Sequence, residues 1–169
     1  NIAYVEIRRP PNNFFDYLLI EQIADAYEEL DDLSECRVII LSSEGKNFCA
    51  GANLNLLLEL SQNNQWDALE FAVKTMQDMT QRIRFSTGPI IAAPFQLTLG
   101  GGVEIVQPAA QRVVAAETYM GLVEVGVGLI PGGSGNLRMI LNAMEGNTGR
   151  MGAFQKIQKT FETQRIFPC

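Results

Sequence analysis

The chain has 169 residues, 47% of them hydrophobic, which fits one globular domain around a single core. Its formal net charge of −6 leaves no basic surplus to neutralise phosphates, so nucleic acid is excluded as a partner. Histidine is absent, which removes Ser-His-Asp and Cys-His catalysis and His-based zinc sites together, leaving carboxylates, Lys, Tyr or Cys for acid/base work.

Ala3-Tyr4-Val5-Glu6-Ile7-Arg8 alternates apolar and polar residues, the pattern of a half-buried strand, and Pro10-Pro11-Asn12-Asn13 ends it in a loop. Helical spacing of Leu19, Ile20, Ile23, Ala26, Tyr27 and Leu30 predicts a helix over 17–33. A short buried strand is expected at 37–41, then a loop of small residues over 42–52. A helix is expected over 54–60, up to Asn63-Asn64, and another over 66–85. Residues 89–93 read as a strand buried on both faces. After them come a glycine run with a short helix, a strand at 112–115 and a glycine-rich loop over 126–135. Helices over 136–144 and 154–161 close the pattern. Strands alternating with helices predict one α/β domain over 1–163, with an unpatterned tail at 164–169.

No apolar run reaches the length of about 18 residues that spans a bilayer, and no secretory signal pattern stands at the start. Asn1, rather than Met, opens almost inside a strand pattern, so the chain is expected to be a trimmed fragment or a processed form. Cys36, Cys49 and Cys169 are odd in number and scattered, which points away from a disulfide frame and towards a reducing, cytoplasmic or matrix-like compartment.

Four segments carry candidate chemistry. Phe48-Cys49-Ala50-Gly51-Ala52-Asn53 lets a ligand approach the main chain with the Ala52 N–H free to donate, or is simply a tight turn with Asn53 as helix cap. Leu99-Gly100-Gly101-Gly102-Val103-Glu104 places bare N–H groups at a helix start, suited to an anion or a developing oxyanion, or packs closely on a neighbour. Glu124 is the one charge between Thr118 and Leu137, so it either has a partner or holds its proton more tightly, as a general acid must; otherwise it is a surface glutamate. Gly126-Val127-Gly128-Leu129-Ile130-Pro131 has Pro131 where a dinucleotide loop needs its last glycine, which argues against nucleotide binding. Cys49 lacks a basic neighbour other than Lys46, Met76, Met79 and Ile83 are expected in the core, and Leu56-Leu57-Leu58 reads as a core or lid face.

Asn47 to Leu54, Leu99 to Glu104 and Glu117 to Asn136, with twenty residues between the two glutamates, together resemble the enoyl-CoA hydratase/isomerase (crotonase) superfamily. Ala92-Ala93-Pro94-Phe95 and the run from Ala116 to Gly133 are most similar to the hydratase-type domain fused to some bacterial 3-hydroxyacyl-CoA dehydrogenases. The resemblance implies an α/β crotonase fold of repeated ββα units and a thioester oxygen held by the N–H groups of Ala52 and Gly101. It further implies a water activated by Glu104 and Glu124, with coenzyme A bending past Arg9, Pro11, Ala50 and Leu54. The implied reaction is hydration of a trans-2-enoyl-CoA in fatty acid β-oxidation, with no metal and no cofactor beyond the coenzyme A of the substrate. Isomerisation of 3-enoyl-CoA through Glu124 alone and a non-catalytic CoA-binding or interaction module are the alternatives. A homo-oligomer, a trimer or a dimer of trimers, is implied as well. Two departures stand out. Pro108 is expected inside the helix behind the glycine run, where it would remove a helical hydrogen bond. The C-terminal helical region that helps close the acyl pocket in the family is expected to be cut short.

Overall fold

The computed structural model describes residues 1–144. In chain order the elements are β1 (Ile2–Ile7), α1 (Tyr17–Asp31), β2 (Val38–Ser43), α2 (Leu54–Gln62), α3 (Trp66–Phe85) and β3 (Ile90–Ala92). They continue with β4 (Leu97–Leu99), α4 (Gly101–Val106), β5 (Gln111–Arg112), β6 (Tyr119–Gly121), a 3-10 turn at Glu124–Val127 and α5 (Gly135–Met144).

Four strands form a parallel sheet in the order β1-β2-β3-β5, with Val5 opposite Leu41 and Leu41 opposite Ala92. Parallel neighbours cannot be joined by hairpins, so each step needs a crossover. Helix α1 makes the first, α2 and α3 the second, and β4 with α4 the third. A second layer is built from shorter pieces. β4 pairs with β6, Cys49 bridges Thr98, and Ala52 bridges Phe15. Each sheet strand is therefore followed by a short extended segment in this second layer: Phe15, then Cys49 to Ala52, then β4, then β6. This is the repeated ββα plan of the crotonase fold.

The core lies where α1 and α3 pack on each other and on the sheet. Asp16 caps α1 by accepting from the Leu19 N–H at 2.9 Å, and α1 buries Leu19, Ile20, Ile23 and Tyr27. Helix α3 buries Met76, Met79, Thr80 and Ile83, as its helical spacing predicts. Leu41, Phe48, Ile90 and Ile105 fill the space between them.

Several expectations are corrected. β4 and β6 were assigned no element from the sequence, being three residues each. The strand expected at 112–115 is instead Gln111–Arg112; beyond it the Val113 and Ala115 N–H groups still donate to Ala92 O and Pro94 O, while Val113 and Val114 lie exposed. Helix α2 buries no residue, so Leu56-Leu57-Leu58 is not a core face. Helix α4 ends at Val106, which puts Pro108 beyond its C-cap Gln107, where it costs no helical hydrogen bond. The helix expected at 154–161 and the tail at 164–169 lie outside the described residues. Among the described residues, no helix is long and apolar enough to cross a membrane.

Candidate active site

Two turns of the second layer lie side by side. The Cys49–Thr98 bridge aligns them, with the Leu99 N–H donating to Cys49 O at 2.8 Å. Gly100 then turns the chain into α4 at φ +51°, ψ −121°, a conformation that L side chains avoid, and its N–H donates to Gly121 O at 2.9 Å. Gly102 is fixed by contact instead. A Cβ there would lie 2.8 Å from Cys49 Cβ and 2.9 Å from Cys49 O. The same packing brings Gly51 Cα within 3.8 Å of the place a Gly100 Cβ would take. Among the described residues, neither the Ala52 nor the Gly101 N–H has an acceptor, since the Phe15 bridge uses Gly51 O and the Asn53 N–H. Asn53 caps α2 by accepting from the Leu56 N–H at 3.3 Å. Gly101 is the first residue of α4, so its N–H is one of the orphans of a helix start.

Both glutamates reach this place. Glu124, in the 3-10 turn, sets its Oε1 3.0 Å from the position of a Gly100 Cβ. Its buried Oε2 has no hydrogen-bond donor among the described residues. Glu104, in the first turn of α4, is 3% exposed. Its Oε1 accepts from the Gly135 N–H at 2.8 Å. Burial pushes the Glu104 carboxyl above the usual glutamate range, the Gly135 amide opposes this, the Glu124 charge adds to it, and the Gly133 amide opposes it more weakly. Glu124 is also raised, chiefly by burial, with its own backbone N–H in opposition. Two carboxylates with pKa raised by burial thus interact, and that of Glu124 lies against the Gly100 turn, next to the Gly101 N–H that has no acceptor among the described residues. Such an arrangement can move a proton while it stabilises negative charge on a nearby oxygen.

The outer residues form a second group. Arg9 pairs through its guanidinium with Asp16, so its charge is tied to the α1 cap. Its N–H donates to Asn13 Oδ1 at 2.7 Å. Pro11 lies exposed in the same loop, with its carbonyl O 3.5 Å from where a Gly45 Cβ would stand. The Ala50 N–H donates to Asn12 O at 3.0 Å, which joins this loop to the Gly51-Ala52 turn. Leu54 opens α2 half exposed.

Sequence reasoning missed three residues. Asn13 is fully buried at φ +52°, and its Nδ2 donates to Glu44 O at 2.8 Å and Asn47 O at 2.9 Å, tying the loop after β1 to the loop after β2. An asparagine after a proline pair is a recognisable left-handed turn signal, but nothing local says where its amide goes. Gly133 and Gly135 cradle Glu104, and a Cβ on either would come within 2.7 Å and 2.9 Å of its carboxylate oxygens. Their density just ahead of a helix was the available signal. Cys49 is fully buried and its thiol is pushed up to about 12, which leaves it a packing residue.

Comparison with known proteins places the chain. A family profile described as enoyl-CoA hydratase/isomerase matches residues 3–154. A probable 3-hydroxyacyl-CoA dehydrogenase of Bacillus subtilis is 41% identical over 145 residues, covering 86% of this chain and 18% of that protein. A probable enoyl-CoA hydratase of the same organism is 30% identical over 138 residues, covering 82% of this chain and 52% of that one. An enoyl-CoA hydratase crystal structure from Bacillus anthracis superposes with a TM-score of 0.78 at 24% identity, covering 97% of this chain and 59% of that one. A crotonase from Legionella pneumophila, described as a putative enoyl-CoA hydratase/isomerase, gives 0.82 at 20% identity, with 99% and 61% covered. These two likenesses speak for the fold. The chain spans about half the length of the B. subtilis hydratase it matches, and a smaller share of the dehydrogenase. With both turns and both carboxylates inside the matched stretch, the chain belongs to the enoyl-CoA hydratase/isomerase family.

Proposed function

We propose that the chain carries the site of an enoyl-CoA hydratase, adding water across the double bond of a trans-2-enoyl-CoA. The observation that carries this reading is the meeting of Glu104 and Glu124, both held above the glutamate range, beside two turns whose N–H groups lack acceptors among the described residues. The thioester oxygen accepts from Ala52 and Gly101, so charge developing on it as water attacks C3 is met by fixed donors. Each such donor is worth about 2.7–4 kcal/mol in comparable sites. Glu104 takes a proton from the water as its oxygen bonds to C3, and Glu124 delivers a proton to C2 as the enolate collapses. One proton returns from Glu104 to Glu124 before the next turnover, so the water supplies both new groups. The steps reverse for dehydration.

Coenzyme A belongs to the substrate, and the proton transfers use protein groups alone, so this reading calls for no metal or redox cofactor. The loop carrying Arg9 and Pro11, the Ala50 turn and Leu54 form the side along which the coenzyme lies. Self-association into a trimer or a dimer of trimers belongs to the same reading.

Following the absorbance of an enoyl thioester with the purified chain tests it. Loss of signal that Glu104→Gln abolishes supports hydration; no loss, or an unaltered Glu104→Gln, refutes it. A second reading draws on the Glu124 Oε2, which has no partner among the described residues and suits a single shuttling base moving a double bond between C3 and C2. Product analysis separates the two, because isomerisation leaves no 3-hydroxy group.

A further inference from the structure

Helix α3 turns one face to the segment that holds Glu104. Val73 Cγ1 lies 3.6 Å from where a Gly132 Cβ would stand, and Met76 Cγ lies 2.7 Å from the Gly133 Cβ position. On that face Gln77 Nε2 donates to Gly132 O at 2.8 Å. One turn further along, Gln81 Oε1 accepts from Arg138 Nη2 at 3.0 Å. Residues 73, 77 and 81 recur at four-residue spacing, which stacks them along a single side of the helix. The two amides that serve Glu104, those of Gly133 and Gly135, therefore lie between an anchor at Gly132 and an anchor at Arg138. The second anchor is buried: Arg138 is 7% exposed, and its Nε has no partner among the described residues. A buried guanidinium released from Gln81 would lose a hydrogen bond that solvent cannot readily replace.

We propose that Gln77 and Gln81 are positioning residues that pin the two ends of the 132–138 segment and so hold the Gly133 and Gly135 amides on Glu104. Among the described residues neither glutamine hydrogen-bonds a carboxylate; each acts through the segment it grips. The proposal rests on the functional reading only in giving Glu104 a reaction to perform. The groups facing Glu104 are the Gly133 and Gly135 amides, the Glu124 carboxylate from the 3-10 turn, and the apolar Met76 side of α3. When the amides drift away, burial and the Glu124 charge act on Glu104 with less opposition.

The test is an NMR titration of the full chain carrying carbon-13 at the glutamate carboxyl, with the Glu104 signal assigned by its loss in Glu104→Gln. In Gln77→Ala and in Gln81→Ala, Glu104 is expected to titrate at higher pH than in the parent. The Gly135 amide is expected to exchange with solvent roughly 2–10-fold faster, the effect of losing one net hydrogen bond. Gln77 is exposed, so its variant folds even if the buried Arg138 makes Gln81→Ala fragile. An unchanged Glu104 titration in Gln77→Ala overturns the proposal, whatever happens to Tm, because a purely structural bond would lower Tm without moving that titration. Enoyl hydration is assayed separately. A shifted titration in a chain without turnover refutes the functional reading and leaves the positioning role standing.

Discussion

Glu104 ionises against its surroundings, and the sign of the consequence is fixed by linkage. Its folded-state pKa lies above the unfolded value of about 4.3, so between the two the folded chain binds more protons than the unfolded one. The contribution of this group to stability is then most favourable at acid pH and is lost as pH rises through the ordinary glutamate range towards the folded value. Glu124 adds a shift of the same sign. Glu104→Gln keeps an oxygen for the Gly135 N–H but never ionises. Its urea midpoint should exceed the parent's at pH 8, with the difference vanishing near pH 4, while its turnover drops by about 10²–10⁴-fold. Equal midpoints at pH 8 would show that burial costs the carboxylate nothing. Tyr27 gives a second case of a polar atom held in the core, since its hydroxyl is buried without a partner among the described residues. Tyr27→Phe should leave stability unchanged or raise it by up to about 1 kcal/mol; a loss of that size in urea melts would mean the hydroxyl is satisfied.

Among the elements, α4 is the piece whose placement decides the site. It is six residues long and buried throughout, so its position comes from what it packs against rather than from helical propensity. Gly102 lets it sit on Cys49, and part of that contact is the Cys49 carbonyl, which cannot rotate away. Gly102→Ala should cost roughly 1–3 kcal/mol in urea unfolding, the range for overpacking a filled core, and should lower turnover by shifting Gly101 and Glu104 together. The loop after β1 depends in the same way on one side chain. Asn13→Ala removes the two hydrogen bonds that link this loop to the one after β2, and a third within the loop, from the Arg9 N–H. Its KM for an enoyl-CoA should rise more than its kcat falls, because the loop lies on the proposed coenzyme side; steady-state kinetics separates the two constants. An equal effect on kcat with KM unchanged would remove the loop from substrate binding.

At the scale of the whole molecule, large apolar residues remain uncovered beyond the sheet edge and around the 3-10 turn. Val113, Val125, Val127 and Ile130 are all more than half exposed, Ile130 at 77%. Surface of that kind favours association. Light scattering on the full chain should therefore give a mass that is a multiple of the single chain, a trimer being the expected species. A monomer at all concentrations would separate this chain from the assembly its family resemblance implies.

The amino-acid sequence alone determined the periodic elements and the identity of the chemical groups. α1 and α3 were legible because their apolar residues repeat at helical spacing, and β1 to β3 because alternating or continuous apolar runs suit a sheet with crossovers. Glu104 and Glu124 stood out as acids beside glycines, and the lack of histidine narrowed what else could move a proton. The tertiary structure decided everything that depends on separate segments meeting. β4 and β6 exist because they pair with each other, since three residues carry too little pattern to form a strand alone. Gly133 and Gly135 serve Glu104 from about thirty residues away, and α3 holds their segment from further still. Proximity of that kind is set by how the layers pack. The Gly100-Gly101-Gly102 run was readable as a bare backbone turn, but only the tertiary structure set it against Cys49, Gly51 and Glu124 as one wall of the candidate site.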